Sequence, residues 1–202
     1  MAIPMGIIGC GAHAQHHAND YAGDFVTYGV WDPDPQAMSQ IAGNQFATLE
    51  ALLAEQQIIA VMICSPDEYH LEQIEMALVA GKHGFCEKPL LIPGQSITQL
   101  EATFDLAKKR GLVLTSCHPR RYDRPASWLM DQVGPLRENP AFLKRFGRVI
   151  SFNFDFSYHE PVNRWKQGRS LLLDHLNHEV DLMSALFGIQ GFEAWQLSAG
   201  FD

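Results

Sequence analysis

Over the first 118 residues short apolar runs alternate with stretches of helical periodicity, and this alternation constrains the fold more than any other feature. An apolar run, an amphipathic stretch and a second apolar run form the pattern of a β-α-β unit built on a parallel sheet. The runs cover residues 3–9, 25–31, a weaker 46–48, 58–64, 83–86 and 112–116. Between them helices are predicted over 12–21, 35–41, 49–55, 67–80 and 93–110, the last two stopped by Gly81 and Gly111. Six strands with their connecting helices amount to a doubly wound α/β domain of residues 1–118.

The pattern breaks at His118-Pro119-Arg120-Arg121. Beyond it a helix is predicted over 124–133, while Pro135 and Pro140 make 135–144 read as a loop. Val149, Ile150, Phe152, Phe154 and Phe156 alternate well enough for a strand over 147–158. A mostly apolar helix over 170–187 ends at Gly188, and a last strand is expected over 192–199. Residues 119–202 therefore read as a second, smaller α+β domain.

With 202 residues, 47% of them hydrophobic, the chain can bury a real core, which excludes a disordered segment and a disulfide-stapled miniprotein. Its 23 acidic against 15 basic residues, a formal charge of −8, argue against nucleic acid as a partner. No apolar run approaches the roughly 20 residues of a membrane helix. Residues 2–9 lack the basic flank of a signal peptide and read as a buried first strand. Cys10, Cys64, Cys86 and Cys117 are scattered, without a C-x-x-C pair, and each lies in or beside an apolar run. That usage suits reduced thiols in a cytoplasmic protein.

The turn after the first run reads Gly9-Cys10-Gly11-Ala12-His13-Ala14, a G-x-G-x-x-A pattern set between a strand and a helix. The first glycine permits a tight turn and the second lets a pyrophosphate approach the backbone. The small third residue lets helix and strand pack closely. The helix start, with Ala12 and His13, offers N–H groups and a positive dipole end to a phosphate. Asp32 closes the second run 21 residues beyond Gly11. A carboxylate there accepts from ribose hydroxyls and repels a 2′-phosphate, so NAD rather than NADP is expected. Alone, Asp32 also suits a turn in Asp32-Pro33-Asp34-Pro35. The combined register of strand, glycines, helix and acid points to a dinucleotide.

Cys86-Glu87-Lys88-Pro89 follows the fifth run, at the strand end where α/β sheets hold ligands. Pro89 biases Lys88 away from helical geometry. A lysine held beside a nicotinamide can hydrogen-bond a substrate hydroxyl and stabilise negative charge developing on its oxygen. Taken alone, Lys88 equally suits a solvated loop charge paired with Glu87. Ser65-Pro66, after the fourth run, falls at the same edge and also suits an ordinary turn.

In the long helix near the end, Asp174, His178 and Asp181 are spaced i, i+4, i+7 and share one face, while His175 points about 100° away. Ionisable groups in so apolar a segment are costly unless they face a cavity or pair with one another. A histidine with an acid four residues away suits proton removal from an alcohol near neutral pH, and an internal hydrogen-bond network is the competing explanation. Asp174, His175 and His178 are conceivable metal ligands, but H-x-x-H without a third ligand at a defined spacing is a poor zinc pattern. His13, His16 and His17 read as a histidine-rich helix start. No metal is expected.

These segments together resemble the Gfo/Idh/MocA family, the relatives of glucose-fructose oxidoreductase and inositol dehydrogenase. The resemblance rests on residues 9–14, Ser65-Pro66 with His70, Ala80-Gly81-Lys82-His83 through Glu87-Lys88-Pro89, and Leu172-Leu173-Asp174 with His178 and Asp181. It spans nearly the whole chain, and the Gly-Lys-His to Glu-Lys-Pro run is more specific than the glycine turn. It implies an N-terminal Rossmann domain and a C-terminal α+β domain with a mostly antiparallel sheet. The implied activity is NAD(P)-dependent oxidation or reduction of a sugar or polyol at a secondary hydroxyl. By position, Lys88, Asp174 and His178 match the family's catalytic lysine, aspartate and histidine, and Arg120 and Arg121 fall in a stretch that lines the substrate side. Ser65, Pro66, His70, Glu87 and Lys88 join Gly9, Gly11, Ala12, His13, Ala14 and Asp32 on the cofactor side. Two departures stand out. Gln167-Gly168-Arg169-Ser170 replaces the glycines that relatives carry before Leu-Leu-Asp, and relatives continue through several strands where this chain has one. The implied second domain is shortened: either the chain is a fragment, or it is a natural short form whose exposed sheet edge a partner covers, the expected one being a second copy in a homo-oligomer. The rival expectation is a non-catalytic dinucleotide-binding or redox-sensing module.

Overall fold

The computed structural model describes residues 2–20, 23–133, 140–147 and 171–187, and the chain divides into two compact units, Met1–Cys117 and His118–Asp202. In the first unit β1 (Ile3–Ile8), β2 (Phe25–Trp31), β3 (Asn44–Gln45), β4 (Ala60–Ile63), β5 (His83–Cys86) and β6 (Leu114–Ser116) form one sheet. Every pairing is parallel and the order is β3-β2-β1-β4-β5-β6. The order reverses between β1 and β4, so a crevice lies at the carboxyl ends of the strands there, the place where such sheets take ligands.

Helices α1 (Ala12–Asp20), α2 (Pro35–Met38), α3 (Leu49–Ala54), α4 (His70–Val79) and α5 (Ile97–Arg110) make the crossovers. Alternate strand residues feed two cores. Met5, Ile7, Val30 and Met62 pack with Ala14, Met38 and Ile41, whereas Ile8, Val61 and Ile63 pack with Leu49, Leu52, Ile74, Leu78 and Ala107. Burial on both faces is why these strands read as continuous apolar runs. Each fully buried aliphatic side chain contributes about 1.5–3 kcal/mol relative to an exposed one.

Boundaries differ from expectation where a cap or a packing contact decides them. The third strand is Asn44–Gln45 rather than 46–48. Thr48 instead caps α3, accepting from the Ala51 N–H at 3.1 Å, and the Phe46 ring lies over Gly29, where a Cβ would come within 2.3 Å of it. The helix expected from residue 93 begins at Ile97, because the Ser96 hydroxyl accepts from the Gln99 N–H. The helix expected over 67–80 opens as a 3-10 turn, Asp67–Tyr69, before α4. Lys82 is architectural: its ammonium donates to the carbonyls of Glu55 and Ile58, both at 2.7 Å, and burial lowers its pKa. His83 accepts from the Val113 N–H at 2.9 Å, tying β5 to the approach of β6.

The second unit contains a 3-10 turn, Pro119–Tyr122, and helices α6 (Arg124–Val133), α7 (Pro140–Phe146) and α8 (Leu171–Phe187). The loop expected over 135–144 is corrected in its second half, where Pro140 opens α7. Proline is accepted at a first helical position because the N–H it lacks has no intrahelical acceptor there. The strands expected over 147–158 and 192–199 lie outside the described residues apart from Gly147. Among the described residues no helix is long and apolar enough to cross a membrane.

Candidate functional site

At the carboxyl edge of the sheet the backbone ladder continues past the strand ends. Gly9 N–H donates to Trp31, Cys64 to Ile8, Glu87 to Ile63 and Cys117 to Cys86, at 2.8–2.9 Å. The residues that follow β1, β4, β5 and β6 are thus held by the same bonds that hold the strands. The two glycines of the turn have different reasons to be glycine. Gly9 has φ +84°, and a Cβ on it would lie 2.6 Å from the backbone nitrogen of Ser65. At Gly11 a Cβ would meet nothing within 4 Å, so the open side of the turn is a cradle that any side chain would fill. Ala14 is fully buried against Met5, Ile7 and Cys10, as the third small position requires.

Asp32 is fastened to this turn. Its Oδ2 accepts from the Cys10 N–H at 2.7 Å and its Oδ1 from the Asp34 N–H at 2.8 Å. A carboxylate offers about four acceptor positions, so each oxygen retains capacity for a hydroxyl. Cradle, helix start and acid fit a dinucleotide: the N–H groups of Ala12, His13 and Ala14 precede any intrahelical acceptor and would be free to take its pyrophosphate, and Asp32 would take a ribose.

Ser65 and His70 hold the neighbouring loops. The Ser65 hydroxyl donates to Gln73 Oε1 at 2.5 Å, and Pro66 is exposed. His70 is fully buried, with Nδ1 2.8 Å from the Pro89 carbonyl and Nε2 2.9 Å from the Ser65 carbonyl. Whatever His70 contributes to a cofactor goes through these two backbone segments, one of which follows Lys88 directly. Lys88 itself is half-buried at the end of β5.

Glu87 turns inward. It is buried, its Oε1 bonds His17 Nε2, and its Oε2 accepts from the Lys88 N–H at 3.3 Å. Burial alone would raise its carboxyl, but the bond and charge of His17, the Cys117 thiol and His13 outweigh burial and hold it at about 2. An unfolded glutamate titrates near 4.5, so between these values the unfolded chain binds more protons and stability rises with pH. The contribution, on the order of 3 kcal/mol, is complete above pH 4.5 and is lost as pH falls towards 2. Denaturation between pH 2 and 5, with a chelator present, is expected to show this slope in the wild type. Glu87→Gln should flatten it.

In the second unit His178 and Asp181 of α8 meet the 3-10 turn. The His118 and His178 rings stand edge to face with centroids 5.8 Å apart, and His118 Nδ1 lies 4.0 Å from Asp181 Oδ1. Arg121 grips both oxygens of Asp181 through Nε and a terminal nitrogen, and this bond raises the guanidinium's pKa. Arg120 pairs with Glu179. Both arginines, expected on the substrate side, are therefore engaged with carboxylates of α8 and fasten the turn to that helix. The backbone of Asp174 belongs to α8, and its side chain lies outside the described residues.

Sequence reasoning gave His17, Cys117 and His118 no part in a site. The histidine-rich helix start is corrected at His17, which is buried and bonded to Glu87. Its spacing from Ala14 was the available signal, since i and i+3 share a helical face.

Residues 3–118 match the model of an oxidoreductase family with an NAD-binding Rossmann fold. UDP-N-acetylglucosamine 3-dehydrogenase of Acidithiobacillus ferrooxidans is 32% identical over 133 residues, 64% of this chain and 41% of that protein. The structure of apo scyllo-inositol dehydrogenase from Lactobacillus casei superposes with a TM-score of 0.68 at 26% identity, over 93% of this chain and 55% of that one. A variant of a 3-ketoreductase from Actinomadura kijaniata, crystallised with TDP-benzene and NADP, gives 0.55 at 26% identity over 66% and 45%. The chain spans less than half the length of several curated relatives it matches.

Proposed function

The chain belongs to the Gfo/Idh/MocA family of oxidoreductases, and we propose that it acts as a dehydrogenase on a secondary hydroxyl of a sugar or polyol, with NAD preferred to NADP. The observation that carries the cofactor half is Asp32, fixed by the Cys10 N–H with acceptor capacity to spare beside the open cradle at Gly11. Relatives named for a sugar nucleotide and for an inositol support the substrate class.

A bound nicotinamide supplies the hydride acceptor for a hydroxyl-bearing carbon. In the proposed mechanism the Lys88 ammonium holds the substrate oxygen and stabilises the charge it develops. His178 takes the hydroxyl proton at its imidazole, so hydride and proton leave the alcohol together and a ketone remains. Asp174, one turn before His178, orients the base or the sugar. His118 positions His178 through the edge-on ring contact, with Asp181 4.0 Å from His118 Nδ1.

Asp32→Ala tests the cofactor preference. It is expected to weaken NAD binding by about tenfold, one hydrogen-bonded pair or roughly 1.4 kcal/mol, and to narrow the discrimination against NADP. Equal affinity of the wild type for both nucleotides, measured by fluorescence titration of the reduced forms, would contradict the preference. Tight nucleotide binding without turnover on any sugar or polyol would instead favour the redox-sensing module.

A further inference from the structure

One cluster in the first unit has no part in the mechanism above. His17 from α1, Glu87 after β5 and Cys117 after β6 bring one ligand atom each to within 4.8 Å of one another, and their residues are only 8, 7 and 6% exposed. The three donors are an imidazole nitrogen, a carboxylate oxygen and a sulfur, brought together from positions 70 and 30 residues apart. We propose that His17, Glu87 and Cys117 form a binding site for one divalent ion of the zinc class at the carboxyl edge of the sheet.

The donor set is that of a three-ligand zinc site with a fourth position left for water. Around a tetrahedral ion with bonds of about 2.0–2.3 Å, donors stand roughly 3.3–3.7 Å apart, a spacing within reach of these donor atoms once the direct His17–Glu87 bond opens to admit the ion. Charge agrees. A carboxylate and a thiolate together carry the two negative charges that a divalent ion neutralises, with the imidazole neutral.

The supports are rigid. The Cys117 and Glu87 backbones are in the sheet ladder at 2.8 Å. The second Glu87 oxygen is held by the Lys88 N–H, and the Phe85 ring stands edge-on to His17 with centroids 5.9 Å apart. These contacts are the outer support that orients metal ligands. Without metal the triangle is closed by protons, the Cys117 thiol donating to Glu87 and held up at about 12 by burial and by that carboxylate. Metal uptake therefore displaces the thiol proton. Because Glu87 adjoins Lys88, an occupied site also fixes the segment that carries Lys88.

The test is titration of the full chain with cobalt(II), followed by competition with zinc(II). One equivalent of cobalt is expected, with thiolate-to-cobalt charge-transfer absorption, bleached by one equivalent of zinc. Cys117→Ser should abolish the charge-transfer band and weaken binding at least a hundredfold, and His17→Asn should weaken it comparably. Zinc should also slow alkylation of Cys117 in the unaltered chain, mapped by mass spectrometry, which gives a reading should either variant fail to fold. Cobalt bound without the thiolate band, uptake unchanged in Cys117→Ser, or alkylation of Cys117 unaffected by zinc would overturn the assignment.

Discussion

Replacing Lys88 or His178 by alanine is expected to lower kcat for hydride transfer by about 10²–10⁴-fold while nucleotide affinity stays within about threefold. The expectation follows from the parts assigned to them. In the proposed mechanism each acts on the substrate oxygen as charge and proton move, an interaction stronger in the transition state than in the ground state, so its loss would fall on kcat rather than on binding. Stopped-flow measurement of nicotinamide absorbance, with inositols and sugar nucleotides as substrates, separates the two quantities. A loss confined to KM would reduce either residue to a substrate anchor.

The second large effect separates the two glycines of the turn. Gly9→Ala is expected to destabilise the first unit by about 2–4 kcal/mol, because the new Cβ meets the Ser65 backbone at 2.6 Å and φ is +84°. Backbone cannot move aside as a side-chain tip can. Gly11→Val meets nothing within 4 Å, so stability is expected to change by less than about 1 kcal/mol. Its side chain fills the cradle instead, and nucleotide affinity should fall by about 10–100-fold, or 1.4–2.8 kcal/mol. Thermal melts and nucleotide titration of both variants check the contrast. A Gly11→Val protein that binds the nucleotide normally would remove the pyrophosphate from this turn.

How legible each part was in the sequence follows from the range of the interactions that decide it. β1 and β4 were visible because two covered faces leave no polar alternation, and α5 was visible from its periodicity and from Gly111 at its end. The start of α5 was misplaced because Pro93 looks like a helix opening, whereas the Ser96 hydroxyl sets the true one. Asp32 was legible because its relation to the glycine turn is carried inside a single β-α-β unit of fixed length. His17 was not, since its burial is decided by Glu87, 70 positions away. The bond of Arg121 to Asp181 was not legible either, since nothing local announces a partner 60 residues further on. Lys82 belonged to the most specific run in the chain, yet the carbonyls it serves lie 24 and 27 residues earlier. Motifs mark positions well. Which of those positions meet ligand and which meet backbone is settled by contacts distant in the chain.

The proposed function has at its centre the proposal that Lys88 and His178 act together on one substrate oxygen. A double-mutant cycle on single-turnover hydride transfer tests it most directly. If the claim holds, Lys88→Ala combined with His178→Ala loses about as much as the worse single variant, because the pair works as a unit. Losses that multiply as for independent sites would contradict it.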